Sequence, residues 1–464
     1  MQILGQIPTP GKYVDLMLDE VGYRERLLGK TFVDNSCGDG NVLSEAVRRY
    51  ISASKREGYD IDCIKTNLER NIFGYDIDKE AVKTTIERLS EIAAKEGIFD
   101  VGWSVQTLDY LETPANKFDY IVGNPPYITY HDLTVEQREY AKNNFISCQE
   151  GRFDYCYAFI EKSIKSLNTT GKMAYLIPFS IFRNRFAFNL RKQLLEKLCK
   201  IIDLSGIDVF PNRTVGAAII ICKNEKVEEI VYVHGERKTN IIRKTSFAEK
   251  WVFEAQPIAE KRFGDYFTVL NSVATLKNEV YLFEPEREDD NYYYFKGEKI
   301  EKVMAHTAAS PRSRRTNRNY KIIFPYKIDE QGVVRIKEED FQLQYPCTYQ
   351  YLLKKKNDLQ NRTLDKKTNW YEYGRSQALS SIGSEKILIP MVLSSKLITY
   401  REEADTIPFA GYYITCKTSQ YTLNDAKHIL ESQDFMNYIK AYGTPTTKTS
   451  YRISTRDIKN FRFE

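Results

Sequence analysis

The sequence predicts an α/β domain built on a mostly parallel, doubly wound sheet, followed by an α+β domain. Three observations carry this. Over residues 1–225, short apolar runs alternate with helix-length amphipathic segments. The first of those runs breaks into a glycine loop that opens a helix. After Lys223 the alternation stops, and Tyr, Lys, Arg and Asn become frequent. Strands that alternate with helices of ten or more residues imply crossover connections, and so a parallel sheet covered on both faces.

The elements follow in order. Thr31-Phe32-Val33-Asp34 reads as a strand that breaks at Gly38-Asp39-Gly40, with a helix over 42–50. A second strand covers 71–76 and a long amphipathic helix 79–95. Strands at 103–106 and 120–123 come next, then a helix over 154–167, the strand 172–177 and a helix over 185–198. Strands at 200–204 and 217–221 close the domain. The charged run Glu225-Lys226-Val227-Glu228-Glu229 reads as a surface junction, which divides the chain into 1–225 and 226–464. No repeat and no low-complexity tail is visible.

Bulk composition narrows the class. A chain of 464 residues favours two domains. With 42% hydrophobic and 28% charged residues, it has the balance of a soluble globular protein. No apolar run reaches the length of a membrane span. The start of the chain lacks the basic and apolar segments of a signal peptide, so a cytoplasmic location is expected. The eight cysteines form no Cys-x-x-Cys pair and only four histidines exist, so no metal is expected and the thiols read as reduced. Residues 1–230 carry 30 Lys and Arg against 33 Asp and Glu, whereas 231–464 carry 38 against 30. A near-neutral first half and a basic second half suit a catalytic domain followed by a nucleic-acid-binding one.

Four strand ends carry chemistry. In an open parallel sheet, ligands bind beyond the carboxyl ends of the strands. Asp34-Asn35-Ser36-Cys37-Gly38-Asp39-Gly40 allows close backbone approach, and the helix N-terminus behind it favours an anionic group. The second strand ends in Tyr75-Asp76-Ile77-Asp78, where an acid can accept from two ribose hydroxyls. Asp109, after the third strand, can accept from an adenine amino group. Singly, Asp76 and Asp109 each read more readily as a solvated loop acid than as a ligand contact; in this order the four ends form a set. The fourth, Asn124-Pro125-Pro126-Tyr127, offers an amide oxygen, a carbonyl in a turn stiffened by two prolines, and a ring. That is what gripping a planar exocyclic amino group requires, with adenine, cytosine and glutamine all open.

These motifs resemble those of S-adenosylmethionine-dependent amino-methyltransferases, which have a Rossmann-like fold. Gln6-Ile7-Pro8-Thr9-Pro10 resembles the family's leading cofactor motif, and its place before the glycine loop is similar to the gamma class of adenine-N6 DNA methyltransferases, the TaqI-like enzymes of type II restriction–modification systems. The resemblance implies S-adenosyl-L-methionine as cofactor, held by Thr9, Pro10, Asp34, Ser36, Cys37, Gly38, Gly40, Asp76, Ile77, Asp109, Tyr110 and Asn124. It implies Asn124, Pro125, Pro126 and Tyr127 as the catalytic set, with Asn rather than Ser favouring adenine.

The mechanism so implied is direct transfer to a flipped-out adenine. The Asn124 amide oxygen and Pro125 carbonyl accept the two N6 hydrogens, and the gain comes from positioning and preorganised electrostatics. Tyr127 stacks on one face of the base. Phe210, in Val209-Phe210-Pro211-Asn212-Arg213, is the candidate for the other face, or else an ordinary core residue. Phe159 reads as a helix-face core residue that could also pack on the cofactor. Pro346-Cys347 resembles the nucleophile pair of cytosine-C5 enzymes but lacks its companions, and reads as structural.

The second domain is expected to read duplex DNA. The segment 307–327 carries Arg312, Arg314, Arg315, Arg318, Lys321 and Lys327 without an acid. Arg375, in the segment 371–377, and Lys448, in 443–448, complete the expected DNA contacts. No nuclease domain is recognisable, so any restriction endonuclease is expected on a separate chain. The competing readings are an RNA adenine-N6 methyltransferase and a non-enzymatic DNA-binding module with a degenerate cofactor fold.

Overall fold

The sheet of the first domain is assembled around β1 (Phe32–Asp34), all three residues of which are buried. In the computed structural model, which describes residues 8–210, 216–234, 238–247, 249–253, 259–329, 332–366, 368–376, 378–379, 382–447 and 449–464, β2 (Ile72–Asp76) lies parallel on one side of β1. β3 (Ser104–Thr107) lies beyond β2, also parallel. On the other side come β4 (Phe118–Gly123) and β5 (Leu167–Pro178), both parallel. β6 (Leu198–Asp203) and β7 (Ala217–Lys223) follow in the chain, and β7 inserts antiparallel between β5 and β6. Two further strands, β8 (Glu229–His234) and β9 (Lys238–Arg243), extend the sheet to the order β3-β2-β1-β4-β5-β7-β6-β8-β9.

Alternate residues of the central strands feed two separate cores. Val33, Ile121, Tyr175 and Ile220 pack into one. Their neighbours Phe32, Val122, Leu176 and Ile219 pack into the other. A strand with both faces buried must read as a continuous apolar run, and β7 does from Ala217 to Cys222. The helices that cover these faces are α1 (Gly11–Glu20), α2 (Asn41–Arg56), α3 (Ile61–Asn71), α4 (Lys79–Lys95), α5 (Val135–Asn144), α6 (Cys156–Lys165) and α7 (Phe188–Lys197).

Three of these helices were not foreseen. α1 buries Tyr13, Val14, Met17 and Leu18, a stripe at helical spacing. α3 is capped by Asp60, whose carboxylate accepts from the Cys63 N–H at 2.7 Å. α5 begins with a capping box of Thr134 and Gln137.

One compact unit comprises residues 1–255 with 444–449, and the other 256–443 with 450–464. The division expected at 225 is therefore too early. The Glu225–Glu229 run is not a junction, because β8 and β9 continue the same sheet and Trp251 and Phe253 join its core.

The second unit is mixed α+β, as expected. One four-stranded sheet has the order Phe267–Asn271, Tyr412–Cys416, Lys386–Ile389, Tyr400–Glu402, and a second has Leu282–Phe283, Tyr320–Ile323, Ala305–Ala309, Ile407–Pro408. Pro346 and Cys347 open the helix Pro346–Lys354. The Glu301 carboxylate accepts from the Cys347 and Thr348 N–H groups, each at 2.8 Å, so this pair is a helix start. Burial and Glu301 raise the Cys347 thiol's pKa, the wrong direction for a nucleophile.

Candidate active site

β3, β2, β1 and β4 are adjacent and parallel, so their carboxyl ends share one edge of the sheet. The glycine loop is pinned across that edge. The Cys37 N–H donates to the Tyr75 carbonyl at 3.0 Å. The Gly38 N–H donates to Asp76 Oδ2 at 2.8 Å, and Asp76 Oδ1 accepts from the Asp78 N–H at 2.9 Å. Thr85 Oγ1 donates to the Gly38 carbonyl at 2.7 Å. Gly40 has φ of 82°, and a Cβ there would stand 2.8 Å from Thr85 Oγ1, so only glycine fits.

Asp34 lies beneath the loop, 2% exposed. Burial pushes its carboxyl up to about 7; the Ser36 N–H bond opposes this and the Asp76 charge adds to it. Ser36 Oγ donates to the Asn124 backbone carbonyl at 3.1 Å and so ties the glycine loop to the Asn-Pro-Pro-Tyr turn. The Tyr127 hydroxyl donates to the Leu176 carbonyl at 2.9 Å and orients the ring. Asp109 Oδ1 accepts from the Leu111 N–H at 2.8 Å, and Oδ2 from the Tyr155 hydroxyl at 3.3 Å.

A cavity of about 260 Å³ opens between these ends. Of the expected cofactor residues, it is lined by Thr9, Asp34, Ser36, Cys37, Gly38, Asp76, Ile77, Asp109, Tyr110 and Asn124, and Pro126 joins them. Pro10 precedes α1 outside this lining. Gly40 and Pro125 shape the loops behind it. The Cys37 thiol is buried and pushed up by desolvation, so its contribution is shape.

Sequence reasoning missed Asn35, Asn41, Leu108, Gln137 and Tyr155, which also line the cavity. Leu108 sits beside a recognised acid, and Tyr155 stands four residues before Phe159 on one helical face, which is the signal that could have found it. Phe159 is 5% exposed and also lines the cavity, so the core reading and the contact reading hold together.

Phe210 is 1% exposed and meets Tyr127 edge to face, with 6.3 Å between centroids and 75° between planes. In this structure it is a core ring and not a parallel second wall.

The expected DNA-binding residues divide. Arg314 makes a bidentate pair with Glu402, Nε to Oε1 at 2.6 Å and Nη2 to Oε2 at 2.5 Å, and the Glu402 carboxylate is buried. It is a structural ion pair. Arg375 pairs with Asp365 at 2.8 Å and Arg318 with Glu284 at 3.0 Å. Lys321 donates to Thr307 Oγ1 at 3.1 Å. Arg312 and Arg315, on the short helix Pro311–Arg315, are exposed and carry no ion pair among the described residues. Lys448 lies outside the described residues.

The cavity chemistry suits a cationic nucleoside: four acidic side chains, Asp34, Asp39, Asp76 and Asp109, line it. A Cβ built on Gly38 would meet nothing within 4 Å, so the loop leaves open space where a ligand can approach the backbone. Asn35 Oδ1 is buried and finds no donor among the described residues, while its Nδ2 donates to Ser163 Oγ at 2.8 Å and to the Tyr175 hydroxyl.

Comparison with known proteins agrees. Residues 70–210 match the family described as Eco57I restriction-modification methylase. The matched segment holds Asp76, Asp109, the Asn-Pro-Pro-Tyr turn and Phe210. The chain is 24% identical to the type II restriction enzyme and methyltransferase RM.Eco57I of Escherichia coli over 90% of its own length, and spans about half, 52%, of that relative. It is 23% identical to the type II methyltransferase M.BstVI of Geobacillus stearothermophilus, covering 99% of this chain and 89% of the relative. Among solved structures, the type IIL restriction-modification enzyme MmeI in complex with DNA matches 98% of this chain and 66% of its own, with a TM-score of 0.65 at 15% identity. The likeness to MmeI shows a shared fold, an α/β domain with a further domain. Among the described residues no helix is long and apolar enough to cross a membrane, and no group of three metal-ligating side chains is found.

Proposed function

We propose that this protein is a DNA methyltransferase of a restriction–modification system that transfers a methyl group from S-adenosyl-L-methionine to N6 of an adenine flipped out of duplex DNA. The observation that carries the reading is the tie between Ser36 Oγ and the Asn124 carbonyl. It joins the loop proposed to hold the cofactor to the turn proposed to hold the base. The cofactor supplies an activated methyl group when bound. Asp76 would hold its ribose, Asp109 its base, and the glycine loop and Asp34 its charged tail.

The residues of the turn do the rest. The adenine N6 lone pair is delocalised into the ring and is a weak nucleophile. The Asn124 side-chain oxygen and the Pro125 carbonyl accept the two N6 hydrogens, favour a pyramidal nitrogen and direct its lone pair into the cavity. The prolines stiffen the turn, so the acceptors are preorganised. Tyr127, with its hydroxyl held by Leu176, offers a ring to stack against the base.

We assign duplex DNA as the substrate and the second unit as its reader, with Arg312 and Arg315 as exposed phosphate contacts. A separate endonuclease is the partner this reading favours: M.BstVI, of which the chain covers 89%, is by name a methyltransferase.

The test is transfer of labelled methyl groups to unmethylated genomic DNA by wild type and Asn124→Ala. The expected result is loss of incorporation by the variant even at saturating cofactor. Equal incorporation by both would overturn the role of Asn124. Chromatography of the digested product separates N6-methyladenine, the expected nucleoside, from N4-methylcytosine.

A further inference from the structure

One face of α6 holds the turn that carries Asp109. Tyr155, Phe159, Lys162 and Ser166 follow at helical spacing. The Tyr155 hydroxyl donates to Asp109 Oδ2. The Phe159 ring lies 6.0 Å from that of Tyr110. The Tyr110 hydroxyl donates to Ser166 Oγ at 3.3 Å. Lys162 makes the densest set of contacts. Its Nζ donates to the carbonyls of Tyr110 at 2.5 Å, Leu111 at 3.0 Å and Thr113 at 2.6 Å, and lies 4.7 Å from the centre of the Tyr110 ring.

The Tyr110 carbonyl and the Leu111 N–H belong to one peptide unit. A peptide is planar, so fixing the direction of its carbonyl fixes the direction of its N–H. That N–H donates to Asp109 Oδ1 at 2.8 Å. The chain of contacts therefore runs from the ammonium through one rigid plane to the carboxylate, which lines the cavity. An ammonium has three donors, and three carbonyls converge on it.

We infer that Lys162 is a positioning residue for cofactor recognition, acting through the Tyr110–Leu111 peptide to hold the Asp109 carboxylate toward the cofactor's nucleobase. The inference rests on the reading of Asp109 as the acceptor of the adenine amino group. Lys162 itself stays out of the cavity lining.

The test compares two ligands on the full chain by calorimetry: S-adenosylhomocysteine, and its analogue whose purine lacks the 6-amino group. The wild type is expected to prefer the amino-bearing ligand about ten-fold, the scale of one charged hydrogen bond. Lys162→Met is expected to reduce that preference to about two-fold while the analogue binds as before, because only the contact to the amino group depends on Asp109. Lys162→Gln serves as a second neutral variant should the first not fold, and Lys162→Arg is expected to restore much of the preference. Equal weakening of both ligands by the neutral variants would overturn the inference and leave Lys162 a purely structural clamp. Asp109→Ala, which removes the acceptor outright, separates the two levels. If it keeps the preference, the reading of Asp109 itself fails; if it loses the preference while Lys162→Met keeps it, only the role of Lys162 fails.

Discussion

Tyr127 and Phe210 meet edge to face, their ring centroids 6.3 Å apart and their planes at 75°. A base held between two rings needs parallel faces about 7 Å apart, twice the ~3.4 Å stacking repeat of a duplex. Phe210 does not supply such a face here, so its contribution is to the core. Phe210→Ala is expected to cost about 3 kcal/mol of stability in urea unfolding. Tyr127→Phe keeps the ring but leaves the Leu176 carbonyl without its hydroxyl donor, at a cost of about 1 kcal/mol with methyl transfer largely kept. Tyr127→Ala removes the stacking ring and is expected to lower kcat/KM by the equivalent of about 1–3 kcal/mol.

Asp34 makes stability depend on pH in a definite direction. Its folded carboxyl stands at about 7, against 3.8 for the ordinary group. The folded chain therefore holds a proton that the unfolded chain releases first. This contribution is fully present below the unfolded pKa, falls as pH rises, and is lost once pH has passed through about 7. Between pH 6 and pH 8, wild type is expected to lose about 1–2 kcal/mol more than Asp34→Asn. Denaturant titrations of both proteins at the two pH values measure the difference. Asp154, with its carboxyl at about 6, contributes equally to both and cancels.

Much of the site was legible because the functional groups sit at strand ends. A strand end is marked in sequence by an apolar run stopping at Asp, Gly or Asn, and Asp34, Asp76 and Asn124 carry that mark, whereas Asp109 follows the largely polar strand Ser104–Thr107 and is legible only by its place in the series. β8 escaped notice because its inward residues, Ile230 and Tyr232, follow a charged run that imitates a linker. Gln137 was missed for another reason. Its part in the cavity depends on how α5 packs on the sheet, and nothing local encodes that. The basic segment 307–327 misled through composition alone. Arg314 and Arg315 are neighbours in sequence, yet one reaches a buried carboxylate and the other faces solvent.

Gly123 tests how tightly the strand ends are packed. It directly precedes Asn124, and a Cβ there would stand 2.7 Å from Asp34 Oδ1 and 3.6 Å from the Tyr175 ring. Asp34 is buried, so a methyl group at Gly123 must displace its carboxylate. Gly123→Ala is expected to destabilise by about 1–3 kcal/mol and to abolish cofactor binding, because the displaced carboxylate shifts both the glycine loop and the turn. Adding Asp34→Ala relieves the clash. The double variant is expected to regain stability in thermal melts while calorimetry still shows no cofactor heat.

Arg314 and its neighbours on the Pro311–Arg315 helix separate folding from DNA binding. Arg314→Ala leaves the Glu402 carboxylate buried without its bidentate partner, so a loss of about 3 kcal/mol in urea unfolding is expected. Its DNA affinity, measured on the folded fraction, should change little. Arg312→Ala with Arg315→Ala has the opposite signature. Both side chains are exposed and free of ion pairs among the described residues, so stability should stay within about 0.5 kcal/mol. If each neutralises one phosphate, the slope of log affinity against log salt for duplex DNA falls by about 1 per arginine. Filter binding across a salt series reads that slope directly. An unchanged slope would remove this helix from the DNA contact surface, whatever the fate of Arg314.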